Sequence, residues 1–158
     1  MPYEFTFSRR VEFAETDMAG IVHFANFYRM MENAEHAFFR SLGFSIHQEF
    51  QGKMVGWPRV SAACEFFRPL RFEDTVDVQL LVAEVRARSI RYAFRFWKGE
   101  QGERVEVARG QVVTVAAAVD KSSGKMTAVP IPEEIRAKME VAPTELLAVF
   151  PQPAAKQS

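Results

Sequence analysis

Residues 27–42 carry the constraint that most limits how this chain can fold. Phe27, Met30, Met31, Ala34, Phe38 and Leu42 recur at steps of three and four, so in a helix they share one face. Gly43 follows directly, at the kind of position where helices end on a left-handed glycine. The rest of the chain alternates apolar and polar residues instead. A single amphipathic helix must bury its stripe, and a sheet is the only partner such a sequence offers.

The alternation defines the strands. Tyr3, Phe5, Phe7, Val11 and Phe13 fall on odd positions and predict an opening strand. Period two returns at Val60, Ala62, Cys64 and Phe66, then at Val76, Val78, Leu80 and Val82, then at Ile90, Tyr92, Phe94 and Phe96. A last long strand is expected over 104–119. Polar turns over 68–74, 86–89, 98–103 and 120–125 separate these runs. Residues 44–57, punctuated by Gly52 and Gly56, read as a loop able to cover a pocket. Pro132 with Glu133 and Glu134 starts a short helix. The order is strand, long helix, then four strands joined mostly by hairpins. It predicts an α+β fold in which a twisted antiparallel sheet wraps around one central helix.

A chain of 158 residues is most simply one domain. The expected domain spans 1–140, followed by a tail over 141–158 whose last residues are expected to be disordered. Leu146, Leu147, Val149 and Phe150 form an apolar cluster in that tail, able to dock back. Twenty basic and twenty acidic residues balance, which excludes the basic field that nucleic-acid or membrane-surface binding needs. The 15 phenylalanines are enough to serve a subunit interface or an apolar pocket besides the core. Cys64 is the only cysteine, so no intrachain disulfide forms; its alternating neighbours suggest a buried, inert thiol and a reducing compartment. No apolar run reaches the ~18 residues of a membrane span. The start, MPYEFTFSRR, lacks the apolar core of a signal peptide. The expected location is the cytoplasm.

Chemistry concentrates in the loop that feeds the helix. Asp17 stands three residues before Gly20, in a stretch with no strand or helix period. An aspartate before a glycine serves most often as a turn or cap residue. It can equally act as a general base or nucleophile. The backbone amides of His23 and Phe24, at the start of the helix, are unsatisfied donors that can stabilise an oxyanion. Gly20 permits the sharp turn between acid and amides. Asn26 either caps the helix or hydrogen-bonds to the Asp17 loop.

Phe13-Ala14-Glu15-Thr16-Asp17-Met18-Ala19-Gly20-Ile21-Val22, with Asn26-Phe27 and Glu32, resembles the signature of the hotdog-fold acyl-CoA thioesterases. The branch is the one of 4-hydroxybenzoyl-CoA thioesterase and the Tol-Pal-associated acyl-CoA thioesterases. The resemblance covers roughly residues 3–139. It implies a five-stranded antiparallel sheet around one long helix. It also implies homodimers with a continuous sheet, often paired into homotetramers, with the active site at the dimer interface. The implied reaction is hydrolysis of a CoA thioester with no metal and no cofactor, coenzyme A being part of the substrate. Asp17 is then the base or nucleophile, and Gly20, the His23 and Phe24 amides and Asn26 complete the site.

One departure stands out. Many Tol-Pal-type members have Tyr-His where this chain has His23-Phe24, so the usual histidine site holds Phe24. His23 either packs like the aromatic it replaces or orients Asp17 or water. Glu32 and Glu35 lie one turn apart and read as solvated or ion-paired carboxylates; Glu32 matches a family position and is the reserve base. The resemblance further implies that Arg86, Arg88 and Ser89 bind the CoA phosphates, unless they are a basic edge that blunts strand pairing. It places Val60 and Ser61 beside the pantetheine channel. Trp57 is expected at the acyl pocket, with core packing as the alternative. Two other functions fit the same cleft: a non-catalytic acyl- or aromatic-CoA binding protein, and a thioesterase for acyl carrier protein.

Overall fold

In the computed structural model, which describes residues 2–100 and 102–152, strand β1 (Glu4–Arg10) leads through a 3₁₀ turn at Phe13–Glu15 into helix α1 (Ala25–Ser41). There follow β2 (Gln48–Phe50), β3 (Lys53–Gly56), β4 (Arg59–Phe66), β5 (Thr75–Val85), β6 (Ser89–Lys98) and β7 (Val105–Val115). The chain closes with β8 (Ala117–Val119), β9 (Met126–Ala128) and two one-turn helices, α2 (Glu133–Arg136) and α3 (Thr144–Leu147). Five strands pair antiparallel in the order β1-β5-β6-β7-β4. This is the antiparallel sheet on one helix that the alternation predicts, in the hotdog arrangement that the resemblance implies.

Helix α1 covers one face of the sheet. Its buried residues include Phe27, Met30, Met31, Ala34 and Phe38, the stripe set by the helical period. They meet the inward residues of the central strands, among them Leu80, Tyr92, Phe94 and Phe96. Phe27 packs edge-on against Phe96, and Phe38 against Tyr92. A side chain at Gly110 on β7 would collide with Met31, so glycine there is what lets the helix sit close. At the helix end Gly43 adopts φ +91°, its N–H bonds to Arg40 and the next N–H, of Phe44, bonds to Phe39. That is a Schellman cap, and it explains why the periodicity stops there.

Three expectations change. The opening strand ends at Arg10 and does not reach Phe13. The Val11 N–H turns to the Asp74 carbonyl, and Glu12 and Glu15 cap each other around a 3₁₀ turn that leaves Phe13 exposed. Residues 44–57 are not all loop. Gln51 and Gly52 both take positive φ, a turn that folds β2 onto β3. The strand expected over 104–119 is two strands in two sheets. Ala116 leaves the ladder to bond the Arg88 carbonyl, and β8 joins a second sheet of order β2-β3-β8-β9. The apolar run Val115 to Val119 continues across this break, so alternation could not reveal it.

The apolar cluster in the tail docks on the outer face of the sheet. Ala142 and Phe150 are buried against Leu81, Ala83 and Ala93, with Leu146 and Leu147 beside them. Arg109 donates to the Val149 carbonyl at 3.1 Å and fixes the end of this strap. Residues 153–158, where disorder is expected from composition, lie outside the described residues. Cys64 is half-buried and its thiol is pushed up to about 12, by burial first and then by the Glu65 charge. No helix among the described residues is long and apolar enough to cross a membrane.

Candidate active site

The loop between β1 and α1 is tied down at both ends. Thr16 and Val22 form a bridge, the Asp17 N–H bonds to the Ile21 carbonyl at 2.9 Å, and the Val22 N–H bonds to Leu70 at 2.8 Å. Gly20 closes the turn with φ +78°, a conformation that favours glycine. Asp17 Oδ1 accepts the Ala19 N–H at 2.9 Å, so one oxygen shapes the turn. Its other oxygen has no hydrogen bond among the described residues.

Glu15 organises the start of the helix, a role that no sequence signal marks. Its carboxylate accepts the Glu12 N–H and pairs with Arg9 on β1. Its carbonyl accepts both the His23 N–H at 2.9 Å and Asn26 Nδ2 at 2.8 Å. Asn26 is therefore not the helix cap; its side chain reaches back to the loop, the second of its two expected roles. The cap role falls to His23, whose Nδ1 accepts the Ala25 N–H at 3.3 Å. The His23 ring lies against Phe24, with centroids 4.7 Å apart.

Of the two amides expected as oxyanion donors, His23's is taken by Glu15. The Phe24 N–H has no partner among the described residues. It opens the first turn of α1, where the helix dipole favours negative charge. Asp17 and Phe24 line one open cleft of about 630 Å³ together with Phe27, Phe66, Arg68 and Arg71. The structure thus brings Asp17, Gly20, Phe24 and the loop-binding Asn26 together. It adds Arg68 and Arg71, two cations that in the sequence belong only to a polar turn.

The remaining candidates lie elsewhere. Trp57 is buried and packs edge-on against Phe39, so in this chain it belongs to the core and not to the Asp17 cleft. Val60 and Ser61 are exposed on β4, the edge strand, whose outer side has no partner strand among the described residues. Arg86, Arg88 and Ser89 sit at the β5–β6 turn, at the opposite end of the sheet from Asp17. The ten residues of β6 separate the two ends by about 30 Å. Arg86 is ion-paired with Glu84, whose carboxyl it holds below the usual range. Glu32 is half-exposed and lies 3.7 Å from Arg59. No group of three or more His, Cys, Asp and Glu among the described residues could hold a metal ion.

Comparison with known proteins bears on the family and the fold. The family model of the thioesterase-like superfamily matches residues 11–139. A 1,4-dihydroxy-2-naphthoyl-CoA hydrolase of Thermosynechococcus vestitus is 28% identical over 88% of this chain and 90% of its own length. A gentisyl-coenzyme A thioesterase of known structure superposes with TM-score 0.72 at 33% identity, over 86% of this chain and all of the other. A 4-hydroxybenzoyl-CoA thioesterase from a Pseudomonas strain has the same fold, with TM-score 0.74 at 22% identity over 86% of this chain and 99% of the other. The chain belongs to the thioesterase-like superfamily and has its hotdog fold.

Proposed function

We propose that this chain is a cytoplasmic acyl-CoA thioesterase, hydrolysing a CoA thioester to a free acid and CoA. One observation carries the reading: a carboxylate with a free oxygen and an unpartnered amide at a helix N-terminus share one apolar cleft. The Phe24 N–H polarises the thioester carbonyl and holds the charge that its oxygen gains. Asp17 takes the proton from the attacking water, or attacks the carbonyl itself to give a mixed anhydride that water then opens. In either case the C–S bond breaks and the sulfur leaves as the CoA thiol. The chemistry needs no cofactor.

The cleft is open, and the working unit is a dimer. Val60 and Phe66 of β4 are 63% and 46% exposed, an apolar edge that asks for a second strand. Two β4 edges paired antiparallel about a two-fold axis place the Arg59 end of one beside the Phe66 end of the other. The Arg86–Ser89 turn of one subunit then faces the Asp17 cleft of its partner, where it can meet the phosphates of CoA. The names of the relatives favour an aromatic acyl group.

Release of free thiol from a panel of aliphatic and aromatic acyl-CoAs tests the proposal. Turnover of at least one ester supports it. Tight binding of CoA esters with no hydrolysis at any pH supports the alternative, a non-catalytic acyl-CoA binding protein.

A further inference from the structure

Two cations in the Asp17 cleft have no part in the chemistry above. Arg68 and Arg71 stand in the turn between β4 and β5, and both line the cleft with Asp17 and Phe24. On the outer face of the sheet arginines are matched by acids: Arg95 and Arg109 share Glu106, and Arg91 pairs with Glu84. Arg68 and Arg71 have no ion pair among the described residues. Arg68 gives one donor, Nη1, to the Glu106 carbonyl at 2.7 Å, which leaves the rest of its fork unused. The Arg71 guanidinium has no hydrogen bond among the described residues.

The backbone that carries the two is fixed. Leu70, between them, is fully buried, and its carbonyl accepts the Val22 N–H from the Asp17 loop at 2.8 Å. The Arg68 N–H bonds to Val107 at 3.2 Å, and the Arg71 N–H to Asp74 Oδ2 at 2.7 Å. Asp74 is itself paired with Lys98 at 3.0 Å. Arg71 Nη1 lies over Gly20, where a side-chain carbon would stand 4.0 Å from it, in ordinary contact. The guanidinium is therefore beside the turn that carries Asp17. Asp17 is the single acid among the residues that line the cleft, against two cations. Phe27, Phe66 and Phe67 form much of the remaining wall and suit the apolar body of an acyl group.

We propose that the cleft selects an acyl group that carries a carboxylate, held by Arg71 and Arg68. The anion has to lie close to the reacting carbonyl, because the arginines share one cleft with Asp17 and the Phe24 N–H. The phosphates of CoA do not lie there: a whole pantetheine arm separates them from the sulfur. A carboxylate on the acyl group stays within a few bonds of the carbonyl. A planar guanidinium meets it with two parallel hydrogen bonds. The two positive charges also offset the repulsion that Asp17 exerts on an anionic substrate. An uncharged acyl group gains nothing from either arginine. Hydrolysis of such an ester, by the steps given above, releases a dicarboxylic acid and the CoA thiol. The inference rests on the thioesterase reading and names the substrate class of the same site.

Two S-benzyl thioethers of CoA test this, one with a carboxylate on the ring opposite the methylene and one with a carboxamide there. They match in shape and differ in charge, and neither has a thioester to hydrolyse, so binding is read apart from turnover. Calorimetric titration of the full chain at low salt is expected to show the carboxylate bound about tenfold more tightly. That ratio should fall towards one in Arg71→Gln combined with Arg68→Gln, and stay partly in Arg71→Lys, which keeps the charge and loses the fork. It should also shrink in the unaltered chain as salt is raised. Both arginines are exposed, so thermal melts should show each variant folded. Equal affinity of the unaltered chain for the two thioethers, or an unchanged ratio in the double variant, overturns the proposal. An equal loss of both thioethers and of free CoA in the double variant assigns the arginines to the phosphates and overturns it too. Hydrolysis of acyl-CoAs with no preference for charge removes this inference alone; the preference without hydrolysis removes the thioesterase reading alone.

Discussion

At the scale of single residues, Glu15 and Asn26 decide which amide of the turn is free. The Glu15 carbonyl binds the His23 N–H and the Asn26 side chain together, and so leaves Phe24 as the donor. Asn26→Ala removes one of these bonds without touching substrate. It should lower kcat by about tenfold with KM little changed, which is the effect of about 1.4 kcal/mol lost from the transition state alone. Steady-state kinetics on the best ester checks this. Glu35 sets a pH dependence of stability. Its folded value of about 7 lies above the ordinary 4.5, so the folded chain holds a proton that the unfolded chain has lost. The stabilisation from this group is full below about 4.5 and is lost as pH rises through about 7. The charges that act on it are those of Arg59 on β4, which lowers it, and Glu32 on α1, which raises it, and its own charge raises the Tyr92 hydroxyl on β6. Urea melts at pH 5 and pH 8 should show a fall for the unaltered chain that Glu35→Gln reduces. Asp17 and Gly20 are legible in the sequence because a sharp turn needs those residue types. The roles of Glu15 and His23 are not, since they depend on where a loop carbonyl and a ring nitrogen end up. Glu35 reads as a solvated or ion-paired acid, and the ion pair forms; its burial and its partner are not legible, because Arg59 is 24 residues away and faces inward only through a bulge.

At the scale of elements, α1 and the five long strands follow from period and punctuation. The helix ends where Gly43 takes positive φ, and each hairpin falls at a polar turn. The short strands β2, β3 and β9 escape because three or four residues hold too little alternation to count, whereas Pro132 and the acids after it mark α2. The passage from β7 to β8 escapes because its residues are apolar on both sides of Ala116. The strap after α2 is the docking that the apolar cluster of the tail makes possible. It explains why Leu81, Ala83 and Ala93 are apolar although they face away from α1. Phe150→Ala should destabilise the chain by about 3 kcal/mol in a denaturant titration. If stability is unchanged, the docked strap does not form in solution.

At the scale of the whole molecule, the proposed dimer uses a sheet edge that has no partner strand among the described residues. Strand β4 is exposed along nearly its whole length, and the Asp17 cleft borders it at Phe66. In the sequence β4 is an ordinary alternating strand, because edge and interior strands share the same period. Replacing Val60 and Ala62 with lysine should break a β4–β4 dimer through charge repulsion at the edge. Sedimentation velocity should then show the monomer, with thioester hydrolysis lost in step. An unchanged dimer would place the interface elsewhere. The central claim is that a carboxylate and an amide at the start of one helix hydrolyse a CoA thioester. Thiol release from the best acyl-CoA, compared between the unaltered chain and Asp17→Asn, tests it most directly. The predicted result is turnover by the unaltered chain and a fall of about 10²–10⁴-fold in kcat in the variant, with the ester still bound. Full activity in Asp17→Asn would contradict it.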